Sequence, residues 1–162
     1  GQLQEAEKIL TFLINKYEEY NHFHLAYTDL LIRKGLYTVA INYINSIMAL
    51  SPRNVPITMS YSLTELNYGD PKKAHQVLLD LFNNVTPSPS QIMLIAKTAN
   101  AAEDYADSFS NMAEYYLSIG LFHEATEQLK LALSMKPINE IQKAKFISRL
   151  QEIEEFIEEN KD

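Results

Sequence analysis

Apolar residues return along this chain at helical intervals. Near the start, Leu3, Ile9, Leu10, Leu13 and Ile14 recur as a helix that needs a packing partner. Near the end, Ile141, Phe146, Ile147, Leu150, Ile153, Phe156 and Ile157 gather on one side of a helix. Glu152, Glu154, Glu155, Glu158 and Glu159 crowd the outer end of that segment, as a capping helix with a polar face requires. No stretch alternates apolar and polar residues long enough to form a sheet. Start signals punctuate the helices: Asp70-Pro71 as N-cap and N1 proline, Ser88-Pro89-Ser90-Gln91 as a capping box, and Asn139 to Gln142 as its weaker relative. The pattern predicts helices over 2–16, 21–34, 37–50, 54–67, 71–84, 88–102, 104–119, 122–135 and 138–159.

Glycine supplies a ruler. Gly1, Gly35, Gly69 and Gly120 stand 34, 34 and 51 residues apart. The first two intervals equal the tetratricopeptide repeat, and the third is one and a half repeats. Ala6, Ala40, Ala74 and Ala125 each follow a glycine by five, where two helices of a repeat cross closely. Thr28, Ser62 and Ala113, again small, precede the later glycines at a constant interval. Pro52 and Pro137 close their repeats in register, while Pro87 slips by one. The stretch from Ser108 to Pro137 is the best unit, and Ile47 and Leu81 mark the first two as degenerate. Gly35, Gly69 and Gly120 are expected at left-handed positions just past helix ends.

These spacings predict an all-α, right-handed helical solenoid of tetratricopeptide type with about nine helices. A single domain over 1–162 divides into a half repeat (2–16), repeats (21–54 and 55–88), a half repeat (89–105), a repeat (106–139) and a capping helix (140–162). The helix over 104–119 serves twice, since an interval of 51 requires sharing. The opening half repeat, in a chain that starts at glycine, leads us to expect a C-terminal piece of a larger protein.

Composition narrows the functions. Four glycines in 162 residues fall well below the usual share of roughly 7%. That disfavours sandwiches, Rossmann folds and phosphate-cradling loops. A net charge of −7 argues against nucleic-acid binding, which needs clustered Lys and Arg. There is no cysteine, hence no disulfide or thiolate chemistry. The longest uncharged run, from Gly35 to Pro52, is broken by Thr38, Asn42, Asn45 and Ser46, so no membrane span is expected.

Catalytic candidates are weak. His22 and His24 point to nearly opposite sides of a helix and cannot share a metal, and His75 and His123 stand alone. These histidines are expected at the surface or half-buried. His123-Glu124 opens like a zinc-protease HExxH motif, but Glu127 occupies the second histidine position. We expect no catalytic, metal or cofactor site in this chain. Among the ten tyrosines, Tyr27, Tyr43, Tyr61 and Tyr116 fall at packing positions.

Function is therefore expected in a groove lined by the first helices of the repeats. Counting from each glycine places Leu25, Asp29, Ile32 and Arg33 there, then Met59, Leu63, Leu66 and Asn67. Met93, Lys97 and Asn100 follow from the half repeat, and Ser110, Glu114 and Leu117 from the shared helix. Repeat domains that bind chaperone tails carry a carboxylate clamp, a Lys, Asn and Arg set, at such places. Leu25, Asp29, Met59 and Leu63 replace its Lys and Asn positions here, leaving an apolar groove with two methionines suited to adaptable contacts.

One resemblance is more specific. The stretch from Asn100 to Pro137, followed by Ile141 to Ile157, resembles the C-terminal repeat domain of periplasmic β-barrel assembly-enhancing HExxH zinc metalloproteases. The shared features are the AEYY helix after a half-repeat, the EQLKLAL helix, and a closing helix running from Ala144 to Leu150 as A-x-x-x-x-R-L. The likeness covers about residues 90–155. It implies a periplasmic location and protein or peptide partners, either outer-membrane β-barrel assembly machinery or unfolded clients. It also implies a zinc protease domain upstream in cis, with zinc only there, because this chain contains no HExxH. The alternative is a scaffold subunit of a secretion, pilus or lipoprotein-assembly complex with no protease attached.

Overall fold

The computed structural model describes residues 1–160. They form helices α1 (Gln2–Lys16), α2 (Asn21–Arg33), α3 (Tyr37–Leu50), α4 (Val55–Tyr68), α5 (Pro71–Phe82), α6 (Pro89–Ala101), α7 (Tyr105–Ser118), α8 (Phe122–Ser134) and α9 (Glu140–Glu159). No strand occurs among the described residues. Each helix lies within two residues of its sequence-derived bounds. Positions 161 and 162 of the capping segment lie outside the described residues.

The start signals act as read. The Asp70 carboxylate accepts from the Lys72 N–H at 2.9 Å. At α6 the Gln91 Oε1 accepts from the Ser88 N–H at 2.8 Å. At α9 the Asn139 Oδ1 accepts from the Gln142 N–H at 2.8 Å. Asn54 adds an unforeseen cap, its Oδ1 accepting from the Ile57 N–H at 3.1 Å. Each such cap satisfies a backbone donor that the helix itself cannot, worth about 1 kcal/mol.

Contacts group the chain into two compact units, Gly1–Asn84 and Val85–Asp162. In the first, α2 pairs with α3 and α4 with α5, while α1 lies against α2 and α3 against α4. In the second, α7 packs against both α6 and α8, and α8 against α9. Double contacts of this kind also occur at α2, α3, α4 and α8, each of which packs against both of its neighbours. The fold is an all-α array of antiparallel helix pairs of tetratricopeptide type.

Small residues carry the crossings. Thr28, Ala40, Ser62, Ala74, Ala113, Ala125 and Ala132 are all completely buried. With no bulk at these points, helix backbones approach closely and interdigitate. Where the small residue is serine, its hydroxyl has a partner across the crossing. Ser62 Oγ donates to the Ala74 carbonyl at 3.0 Å, and Ser108 Oγ to the Ala96 carbonyl at 2.9 Å. Ile44, Ile57 and Tyr61 form a core cluster of the first unit, where Leu31 and Leu78 are also buried. Phe146 and Ile153 of α9 join Leu129 and the alanines of α7 and α8 in the second. Ile141, expected on the same buried side, is 84% exposed in the first turn of α9. Ile147 and Phe156 also remain partly in solvent.

The glycine ruler needs one correction. Gly35 and Gly120 do take positive φ, 74° and 80°. Each closes its helix with paired bonds: Gly35 N–H to Ile32 O and Leu36 N–H to Leu31 O, then Gly120 N–H to Leu117 O and Leu121 N–H to Tyr116 O. Gly69 does not, with φ −134°. What excludes a side chain there is space. A Cβ would run into the Glu65 carboxylate and come within 2.9 Å of Ile41 Cδ1. The Glu65 side chain folds over Gly69 because its oxygens accept from the Tyr61 hydroxyl at 2.8 Å and the Asp70 N–H at 2.9 Å. Conversely, Glu103 has φ 65° without being glycine. It closes α6 by the same two-bond pattern, Glu103 N–H to Asn100 O and Asp104 N–H to Ala99 O.

Candidate functional site

In the first unit, α2 and α4 touch and leave an open groove of ≈ 500 Å³ along their outer faces. Leu25, Asp29 and Ile32 line it from α2 at helical spacing of four and three. Met59, Leu63 and Asn67 line it from α4, again one turn apart. Six positions counted from the glycines thus converge on one surface. Arg33 and Leu66 sit on the same helices outside the lining. Leu63 stands 43% exposed, whereas Leu25 is partly covered because it also packs on the core of the unit.

Four lining residues escaped the consensus count: Pro56, Ser60, Thr64 and Tyr68. They were within reach of sequence reasoning, since each lies three to five residues from Met59 or Leu63 on the same helix. The groove is chemically simple. Thr64 Oγ1 donates to the Ser60 carbonyl at 2.7 Å, and Asn67 Nδ2 to the Leu63 carbonyl at 2.7 Å. Those polar groups are engaged locally, so the exposed Asp29 is the charged side chain among the lining residues. At one end, Tyr68 stacks on Tyr37 with centroids 4.2 Å apart and planes 5° from parallel. Two half-exposed rings there offer a flat amphipathic surface.

The second unit presents a different picture. Met93, Lys97 and Asn100 lie at one helical spacing on α6, with Lys97 and Asn100 exposed. Ser110, expected in the groove, is buried instead. Glu114 is engaged within the chain: Arg149 of α9 grips it through two bonds, Nε to Oε1 at 2.8 Å and Nη2 to Oε2 at 2.9 Å. Arg149 also reaches Glu152 at 2.9 Å. These bonds hold the guanidinium well above its ordinary pKa, although burial acts against them. Leu117 lines a smaller cavity of ≈ 280 Å³ with Phe122, Arg149 and Phe156, under the capping helix.

The histidines divide as their spacing requires, but not as surface residues. His22 is exposed, while His24 is only 6% exposed and His75 only 8%. His24 spans two neighbours, with Nε2 2.9 Å from the Glu18 carbonyl and Nδ1 2.6 Å from the Tyr43 hydroxyl. A carbonyl only accepts, so the network assigns the proton to Nε2 and lets Tyr43 donate to Nδ1. Burial, with Tyr27 beside it, pushes the Tyr43 phenol up to about 12. The expected packing tyrosines are indeed inside or half-inside, Tyr61 most of all. Among the described residues, no three His, Cys, Asp or Glu side chains gather to hold a metal ion, and no helix is long and apolar enough to cross a membrane.

The helix pairs define a repeat protein of the tetratricopeptide class in fold. The chain is similar to TTC0263, a thermophilic TPR protein in Thermus thermophilus, at 20% identity and a TM-score of 0.48 over 93% of this chain and 92% of that one. It is also similar to two structures of MamA. One has 20% identity and a TM-score of 0.43 over 82% of this chain and 96% of that chain. The other has 18% identity and a TM-score of 0.44 over 97% and 96%. No protein-family model and no curated protein sequence matches the chain.

Proposed function

We propose that this chain is a non-catalytic protein-interaction module that holds an apolar segment of a partner in the groove between α2 and α4. The observation that carries this reading is the convergence of Leu25, Ile32, Met59 and Leu63 around the single carboxylate of Asp29. Such a surface recognises a peptide with alternating or helically spaced Leu, Ile, Met or Phe and one basic residue opposite Asp29. Met59 lets the groove adapt to more than one side-chain shape.

The resemblance over residues 90–155 supports a finer version. In it the module sits in the periplasm beside a zinc protease domain in cis. It presents unfolded clients, or docks outer-membrane β-barrel assembly machinery, with zinc confined to the protease domain. The groove chemistry equally suits the role of a scaffold subunit.

Selection of peptides from a random displayed library tests the groove. Enriched sequences should be apolar with one Lys or Arg, and the double substitution Met59→Glu, Leu63→Glu should weaken the best of them by at least about tenfold, or 1.4 kcal/mol. Both side chains are partly solvent-facing, so circular dichroism of the variant should be unchanged. Peptides that bind the double variant as well as the parent would remove the groove from consideration.

A further inference from the structure

Helix α1 carries a second surface that the groove does not use. None of its residues is buried. Ala6, Leu10, Leu13 and Ile14 are half-buried, and Glu7 bonds Lys34 at 2.8 Å, so that side of α1 faces α2. On the opposite side stand Ile9, 55% exposed, and Phe12, 61% exposed. Glu5 and Lys16, both exposed, complete the same stripe at either end, since positions 5, 9, 12 and 16 follow helical spacing. The Lys16 ammonium lies 5.8 Å from the Phe12 ring centroid, which places its charge beside the apolar pair.

The stripe has a symmetry of its own. Glu5 pairs with Lys16, and Ile9 with Phe12, about the same point, midway between Leu10 and Thr11. A two-fold axis through that point would set a second α1 antiparallel to the first. Each Glu5 would then meet the other chain's Lys16, and each Ile9 would meet the other chain's Phe12. That is the self-complementarity an isologous contact requires. The charges cannot satisfy each other within one helix, because eleven residues separate them by roughly 16 Å along the axis. We propose that the exposed face of α1 is a homodimer contact that takes the same face of a second copy of this chain. Two apolar side chains per copy make a small interface, below the size of stable ones, so the dimer is weak and concentration-dependent.

Charge reversal provides the test. By sedimentation equilibrium up to millimolar concentration, the parent chain should show a monomer–dimer equilibrium that Phe12→Asp abolishes. Glu5→Lys and Lys16→Glu should each weaken self-association on the order of tenfold, since each sets like charges against one another at both ends. An equimolar mixture of those two variants should associate at least as well as the parent, because every end then pairs opposite charges. The Glu5→Lys, Lys16→Glu double variant should recover for the same reason. Reversal also opposes the α1 dipole, so its effect on monomer stability is followed by circular dichroism. A stability loss alone would persist in the mixture and the double variant, whereas a contact effect reverses. A parent that stays monomeric throughout, or single variants that fail to complement, overturns the proposal; the first result leaves α1 to another part of a longer polypeptide.

Discussion

Glu103 takes the left-handed conformation that Gly69 does not. Counting 34 residues from Gly69 lands on Glu103, so the left-handed position recurs where the sequence no longer marks it. An L-residue with positive φ costs about 1 kcal/mol or more, part of which glycine recovers against its own entropy. Glu103→Gly is therefore expected to raise stability by about 0.5–1 kcal/mol in urea unfolding. Gly69→Ala should do the reverse, because the Glu65 carboxylate must leave the Tyr61 hydroxyl and the Asp70 N–H. Leaving those buried groups unpaired costs about 1–3 kcal/mol. If Gly69→Ala unfolded at the parent midpoint, the steric account of Gly69 would be wrong. Glycine spacing alone located the ends of α2, α4 and α7, yet the reason for each glycine was not legible. Spacing reports where a side chain is absent, and a missing Cβ serves backbone torsion and close approach alike.

At the scale of the element, one phenol ties two helices together and a second braces a single helix. Tyr43 of α3 donates to His24 of α2, and Tyr61 donates to Glu65 one turn further along α4. Burial pushes Tyr61 up to about 12, helped by its bond to Glu65 and by the charges of Glu65 and Asp70. Tyr43 also lies at about 12. A folded-state pKa above the ordinary value near 10 means that the folded protein keeps a proton the unfolded chain has released. Stability from these groups is complete below about pH 10 and is lost as pH rises toward about 12. A late phase of phenolate absorbance should appear in that range, and Tyr43→Phe and Tyr61→Phe should each remove part of it. A titration unaltered by both substitutions would contradict the assignment. Helix bounds were legible because Asp70, Ser88 and Asn139 are local signals. His24 is buried against expectation because its partners, the Glu18 carbonyl in the α1–α2 turn and Tyr43 on α3, stand at separations that no helical spacing relates.

Across the whole molecule, contacts gather within 1–84 and within 85–162. Leu129 is 1% exposed at the centre of the second unit's core, where truncation to alanine leaves a cavity and costs about 2–5 kcal/mol. Hydrogen exchange of Leu129→Ala should lose protection throughout 85–160 and retain it in α2 to α5. Equal loss in both segments would show that they unfold together. The groove of the first unit was largely legible, because Leu25, Asp29, Ile32, Met59, Leu63 and Asn67 follow from register alone. The second unit was less so. Glu114 keeps its register but meets Arg149, thirty-five residues later, and nothing local announces a capping helix that bonds back to that face.

Within the second unit, α7 has a small-residue crossing on each of two sides, Ser108 toward α6 and Ala113 toward α8. The helices there are joined one to the next, α6 to α7, α7 to α8 and α8 to α9, rather than as isolated pairs. A unit joined this way can lengthen by a single helix of about seventeen residues, half a repeat, rather than only by a pair. Odd and even helix counts are then equally compatible with close packing inside a unit, as α1 to α5 in the first and α6 to α9 in the second illustrate.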